Sequence, residues 1–378
     1  MKIDKQTTRY KCQDYELIRN FCLRLGKVAL GEKTVSWAIN NGYSTIASDY
    51  GIVPKKLERY LTASSMTSKF WSQTQLNATK KIIAYLNKDG IEPTLLKGIS
   101  ISSDLYSQSY YRMMRDIDIL FNESDVEKVE MALPVLGYEQ RSTYSKEFYR
   151  GLHHTMPWQH CKDEIWIEVH KKLFPRTSKC YSSPSFQTDT FKKEVRPDDF
   201  FELNVFRFSY EFQIIYIASH WAERFKKVGG VTGLIDVSLI INEHNDEIDW
   251  DKIIFLANTP NVVNFVYLML SCISSSGFLK PNINITNHLK KMDHTLGVRS
   301  HRILITFVSR YIFNGMAYGR ILTVNNVALI WKHLLGERSS WVKIFIMPVI
   351  VLFPKGQTNR FSLKFQYSRI KNFFKSSK

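Results

Sequence analysis

Apolar positions recur at helical spacing over residues 15–30, with Gly31 placed to stop that helix. Asn40-Asn41-Gly42 reads as a turn, and a second helix is expected over 74–86, ending near Asp89-Gly90. The pattern changes after Ile91. Thr94-Leu95-Leu96 is a short apolar run that meets Lys97-Gly98, and a helix is expected over 99–106. Residues 115–121 alternate with period two, as a strand does. Ser124 or Asp125 is placed to cap a helix over 126–136 that stops at Gly137. Strands are expected near Tyr138, over 154–158 and over 165–170. From Phe200 the spacing turns helical again, over 201–225, 231–241, 250–257, 262–272 and 302–335.

This order predicts an α/β chain, with an α+β mixed-sheet core between N-terminal helices and a C-terminal helical domain. The expected divisions are a helical lead-in over 1–90, the core over 91–199, the helical domain over 200–335 and a tail over 336–378. A length of 378 residues, 44% of them hydrophobic, is ample for two folded domains and excludes wholesale disorder.

The formal charge is +17, which favours a polyanionic neighbour: nucleotide, nucleic acid or anionic lipid. Five scattered cysteines without zinc-ligand spacing, and no apolar signal-peptide core, point to the cytoplasm. Residues 341–353 are strongly apolar but fall short of the 18–20 or so expected of a membrane span. Residues 355–378 then interleave Lys and Arg with Phe and carry no acid. The segment 341–378 therefore suits peripheral contact with an anionic membrane at its inner face, or packing against the domain with a solvated basic end. No signal for an oligomer stands out.

The sharpest chemical feature is Asp116-Ile117-Asp118, where alternation puts both carboxylates on one face of a strand. Two such groups repel unless a cation or proton separates them, and hard oxygen donors suit Mg²⁺, or Mn²⁺, with substrate phosphates completing the shell. A surface strand can present the same pattern. Glu168 lies in a second alternating segment, Ile165-Trp166-Ile167-Glu168-Val169-His170. If the two strands are neighbours, Glu168 supplies a third carboxylate, and three carboxylates can hold two cations. Lys97-Gly98 gives a turn where backbone can approach phosphate, with Ser100 close by and Lys97 adding charge, although no P-loop pattern is present. Arg112 is the candidate partner for a leaving pyrophosphate, and Arg115 the structural one. His170 shares the face of Glu168 and is a candidate contact to nucleotide or acceptor, while His154 is a candidate for the same cleft. A zinc site from His153, His154, His160 and Cys161 matches no closed spacing.

The segments LLKGISISSDLY, RMMRDIDILF and IWIEVHKKLF together resemble the uncharacterised nucleotidyltransferases of the DNA polymerase beta-like superfamily. The residues that carry the likeness are Lys97, Gly98, Tyr106, Arg112, Asp116, Asp118, Glu168 and His170. The family often has Asp where this chain has Glu168. His220-Trp221 and Leu234-Ile235-Asp236 resemble its helical continuation, which makes His220 and Asp236 candidates on the acceptor side. The resemblance implies a nucleotidyltransferase core and transfer of NMP from an NTP, ATP foremost, onto an acceptor oxygen. Asp116, Asp118 and Glu168 would hold the metal. The acceptor stays open among small molecule, glycan or peptide intermediate, protein and RNA, although no RNA-binding signature is present. The rival readings are a phosphotransferase on the same fold and an inactive binding or assembly protein in envelope polysaccharide biosynthesis.

Overall fold

The computed structural model of the chain describes residues 27–223 and 230–297. The expected helices over 15–30 (apart from its last residues) and 302–335, and the tail at 336–378, lie outside the described residues. Two short strands, β1 (Val28–Ala29) and β2 (Gly51–Ile52), pair in parallel and bracket the helices α1 (Glu32–Asn41) and α2 (Ser44–Tyr50). Val28 and Ala29 are therefore extended where a helix is expected. Gly31 stands before α1 and starts it. Gly42 ends α1 in the left-handed conformation at φ 82°, which a residue without Cβ adopts freely.

The helix expected over 74–86 is the second half of α3 (Lys55–Asn87), 33 residues long. Its first half leaves Tyr60, Met66 and Phe70 exposed, so it lacks the apolar stripe that announces a helix in sequence. Its second half buries Leu76, Ile82, Ile83 and Leu86 against the sheet.

The rest of the core is one seven-stranded mixed sheet. It contains β3 (Thr94–Leu95), β4 (Ile117–Leu120), β5 (Tyr138–Gln140), β6 (Trp158–His160), β7 (Trp166–His170), β8 (Val195–Asp199) and β9 (Asn204–Phe208), in the spatial order β5-β6-β7-β4-β3-β9-β8. Between β3 and β4 runs α4 (Lys97–Asp104), between β4 and β5 runs α5 (Val126–Val135), and α6 (Lys146–Arg150) precedes β6. The strand expected over 154–158 starts later, at Trp158. His154 instead makes an isolated bridge to His170.

The largest departure from expectation is at 195–208. Residues 201–208 fit helical spacing, yet Asn204–Phe208 is a strand beside β3, and β8 caps the sheet edge. Pro197 is tolerated there because β8 is an edge strand. Position 199/200, the expected division between core and helical domain, falls in the turn of the β8–β9 hairpin. The short helix α7 (Thr188–Phe191) leads into β8.

Beyond the sheet come α8 (Tyr210–Glu223), α9 (Gly230–His244), α10 (Trp250–Leu256), α11 (Pro260–Ser276) and α12 (Thr286–Lys291). Two apolar clusters form. One holds Ile117, Ile119, Ile167 and Val169 against α3 and α5. The other joins α1, α2 and α4 to α8, α9 and α11. Alternation along β4 thus sends its isoleucines into the first cluster and turns Asp118 the opposite way.

Candidate active site

The site forms at the centre of the sheet because β4 and β7 pair in parallel with Asp118 opposite Glu168 and Leu120 opposite His170. Two segments that alternate independently in sequence are thereby brought side by side. A shift of one residue would put isoleucine or valine opposite Asp118. Donor atoms of Asp118, Glu168 and His170 all lie within 4.8 Å of one another, the one such grouping among the described residues. The four residues weighed for zinc are not brought together. His160 pairs with Asp163 at 3.2 Å, and Cys161 is exposed.

Asp118 is buried, and its Oδ1 accepts from Lys97 Nζ at 2.7 Å and from His170 Nε2 at 2.9 Å. The same His170 nitrogen is 3.3 Å from Glu168 Oε2, so the imidazole bridges two carboxylates. Burial works against the charge of Asp118, but Lys97 and His170 outweigh it and hold the carboxyl well below its usual range. Glu168 is held down in the same way, chiefly by the His170 hydrogen bond. Asp116, just before β4, has no such partner. Burial, then repulsion from Asp118 and Glu168, pushes it up to about 7. Burial likewise opposes the charge of Lys97, and Asp118 restores it, holding the ammonium above the ordinary lysine value.

Lys97 opens α4 with φ 48°, in the left-handed region that a side chain disfavours. At Gly98 a Cβ would meet Met114 Cγ at 2.8 Å and Arg112 Nη1 at 3.2 Å, so only glycine fits the turn as packed. Ser100 faces inward. Its hydroxyl accepts from Gln213 Nε2, and its carbonyl accepts from Arg207.

Arg112 is folded against α9. Its Nε and Nη2 grip both carboxylate oxygens of Asp236 at 2.9–3.2 Å, Nη1 donates to Met113 O, and Tyr106 donates to Asp236 Oδ1 at 3.0 Å. Asp236 is thus placed with Arg112 and Tyr106 beside the Gly98 turn.

The remaining histidines differ in position. His170 is 0% exposed, and its Nε2 is held between the Asp118 and Glu168 carboxylates. His154 Nδ1 bonds Thr155 O at 2.7 Å, and its Nε2 stands 3.9 Å from Glu168 Oε1. His153, His154 and His170 rings lie within 5.5 Å of one another, so His154 stands beside His170 as expected and His153 joins them. His220 lies on α8 against Phe174 and Tyr216.

The family described as uncharacterised nucleotidyltransferase matches residues 42–276, more than half of the chain, and the chain belongs to it. Membership supports a nucleotidyl-transfer role. Among solved structures the chain is similar to the solution structure of the antibiotic-resistance factor ANT(2'')-Ia. That likeness has 15% identity and a TM-score of 0.35, covering 49% of this chain and 90% of the other. No curated protein matches. Among the described residues no helix is long and apolar enough to cross a membrane.

Proposed function

We propose that the protein is a divalent-cation-dependent nucleotidyltransferase that moves NMP from an NTP, with ATP the first candidate, to an acceptor oxygen and releases pyrophosphate. The observation that carries this reading is the register that sets Asp118 opposite Glu168, with Asp116 just before the strand and the Lys97-Gly98 turn alongside. Asp118 and Glu168 converge with His170, Asp116 stands near enough to feel the repulsion of both acids, and hard carboxylate oxygens fit Mg²⁺ or Mn²⁺. Asp116, Asp118 and Glu168 would hold the cation. When bound, it supplies neutralisation of charge developing on the α-phosphoryl group.

The chain's own groups divide the remaining work. The Gly98 turn lets backbone N–H groups at the start of α4 approach phosphate. Arg112, fixed by Asp236, keeps that turn in shape and retains N–H groups that can face a leaving pyrophosphate. The acceptor oxygen forms a bond to the α-phosphorus, the bond to the α–β bridging oxygen breaks, and the acceptor proton passes to Glu168. His170 holds Glu168 and Asp118 apart at a fixed spacing. His154, beside Glu168, stands on the side from which the acceptor would come.

Because NTPs and a reduced environment suit this chemistry, the cytoplasm is the expected compartment. The test is incubation of the chain with α-labelled NTPs, Mg²⁺ and cell extract. Label should pass to a product and should not do so with Asp116→Ala. The product's mass should carry base and ribose. Addition of phosphoryl alone would replace this reading with a phosphotransferase, and absence of any turnover would refute it.

A further inference from the structure

We infer that the ammonium of Lys97 takes the place of one of the two cations that three such carboxylates can hold, so that the enzyme works with a single divalent ion. The inference rests on the nucleotidyl-transfer reading of the same site.

The first argument is occupancy. Asp118 Oδ1 already accepts two hydrogen bonds, from Lys97 Nζ at 2.7 Å and from His170 Nε2 at 2.9 Å. A carboxylate oxygen has two lone pairs, and both are engaged. Asp118 can then offer a cation only its other oxygen, which leaves it unable to bridge two ions as long as Lys97 stays.

The second argument is charge. Asp116, Asp118 and Glu168 carry three formal negative charges when ionised, and Lys97 cancels one. Lys97 thus puts beside Asp118 the positive charge that a cation would otherwise bring there. A second ion beside Asp118 would have to sit next to that ammonium, and the two like charges repel at such a distance.

The third argument is conformational. Lys97 is the first residue of α4 and holds φ 48°, one of four non-glycine residues with positive φ among those described. A solvated lysine gives no reason to keep a strained backbone. Here the strain coincides with an ammonium aimed at the central acid of the cluster.

The experiment counts bound Mn²⁺ by electron paramagnetic resonance on the full-length chain saturated with α,β-methylene-ATP. The wild type should bind one ion per nucleotide-bound chain. Lys97→Gly, which suits the positive φ and removes the ammonium, should bind two. Lys97→Met should behave as Lys97→Gly, and Lys97→Arg, which keeps the charge, should bind one. Two ions in the wild type, or one in every variant, would overturn the inference while leaving nucleotidyl transfer standing. Failure of the wild type to bind nucleotide and manganese would overturn both.

Discussion

Two charged clusters lie on either side of α4, and they are built to opposite ends. At one end of the helix Asp118 meets Lys97 and the His170 imidazole, which also reaches Glu168, and Asp116 feels the repulsion of both acids. At the other, Asp104 and Asp198 meet Arg196 and Arg207. Arg196 bonds both acids, Arg207 Nε lies 3.2 Å from Asp198, and further Arg207 nitrogens donate to the Ser100 carbonyl, the Ser103 hydroxyl and Asp199 O. The second cluster is balanced, two acids against two arginines, and Arg207 is 2% exposed. The first keeps a surplus of acid. A balanced buried cluster is complete without a ligand and holds the fold. An unbalanced one leaves Asp116 with a carboxyl raised towards neutrality, the kind of perturbation that gathers at functional sites.

The sharpest way to test that contrast is Asp116→Asn. Label transfer should fall on the order of 10³-fold, about 4 kcal/mol of barrier, in a radiolabel assay. The urea midpoint in metal-free buffer should not fall, because the substitution removes a repulsion. A drop in stability would show that the surplus acid is structural after all. Arg207→Ala should do the reverse: stability should fall by about 3 kcal/mol in urea, since Asp198 loses a buried partner, with Mn²⁺ affinity retained in the folded fraction.

Smaller effects are expected where the two clusters are joined to their surroundings. Arg112→Lys removes the two-pronged grip on Asp236. It should cost about 2 kcal/mol of stability and raise the KM for NTP more than it lowers kcat, as measured by denaturation and steady-state kinetics. Gly98→Ala should cost ~1 kcal/mol in urea, because Met114 can yield only in part to the new Cβ. An unchanged midpoint would mean that the turn has room to spare.

The pairing of Asp118 with Glu168 was legible in sequence, since both sit in segments whose alternation shows which side chains share a face, whereas Asp116, expected in the same strand, lies just before it. The balanced cluster was not. Arg207 lies in a strand that mimics helical spacing, Arg196 and Asp198 lie on an edge strand interrupted by Pro197, and Asp104 is 92 residues from Arg196. The Arg112–Asp236 pair spans 124 residues, so each residue was visible as a candidate but not as the other's partner. The first half of α3 escaped because its buried face carries Ser65, Ser68 and Ser72 while Tyr60, Met66 and Phe70 stay exposed. Periodicity reports faces, and long-range pairing needs the packed chain.

β4 has hydrogen-bonded neighbours on both sides and lies in the middle of seven strands. Its backbone amides can meet solvent only when one of those neighbouring strands peels away. The Asp118 carboxylate therefore rides on what should be the slowest-exchanging stretch of the protein, while the groups that must admit and release substrates lie on turns around it. The position of that carboxylate should hold for as long as the molecule stays folded.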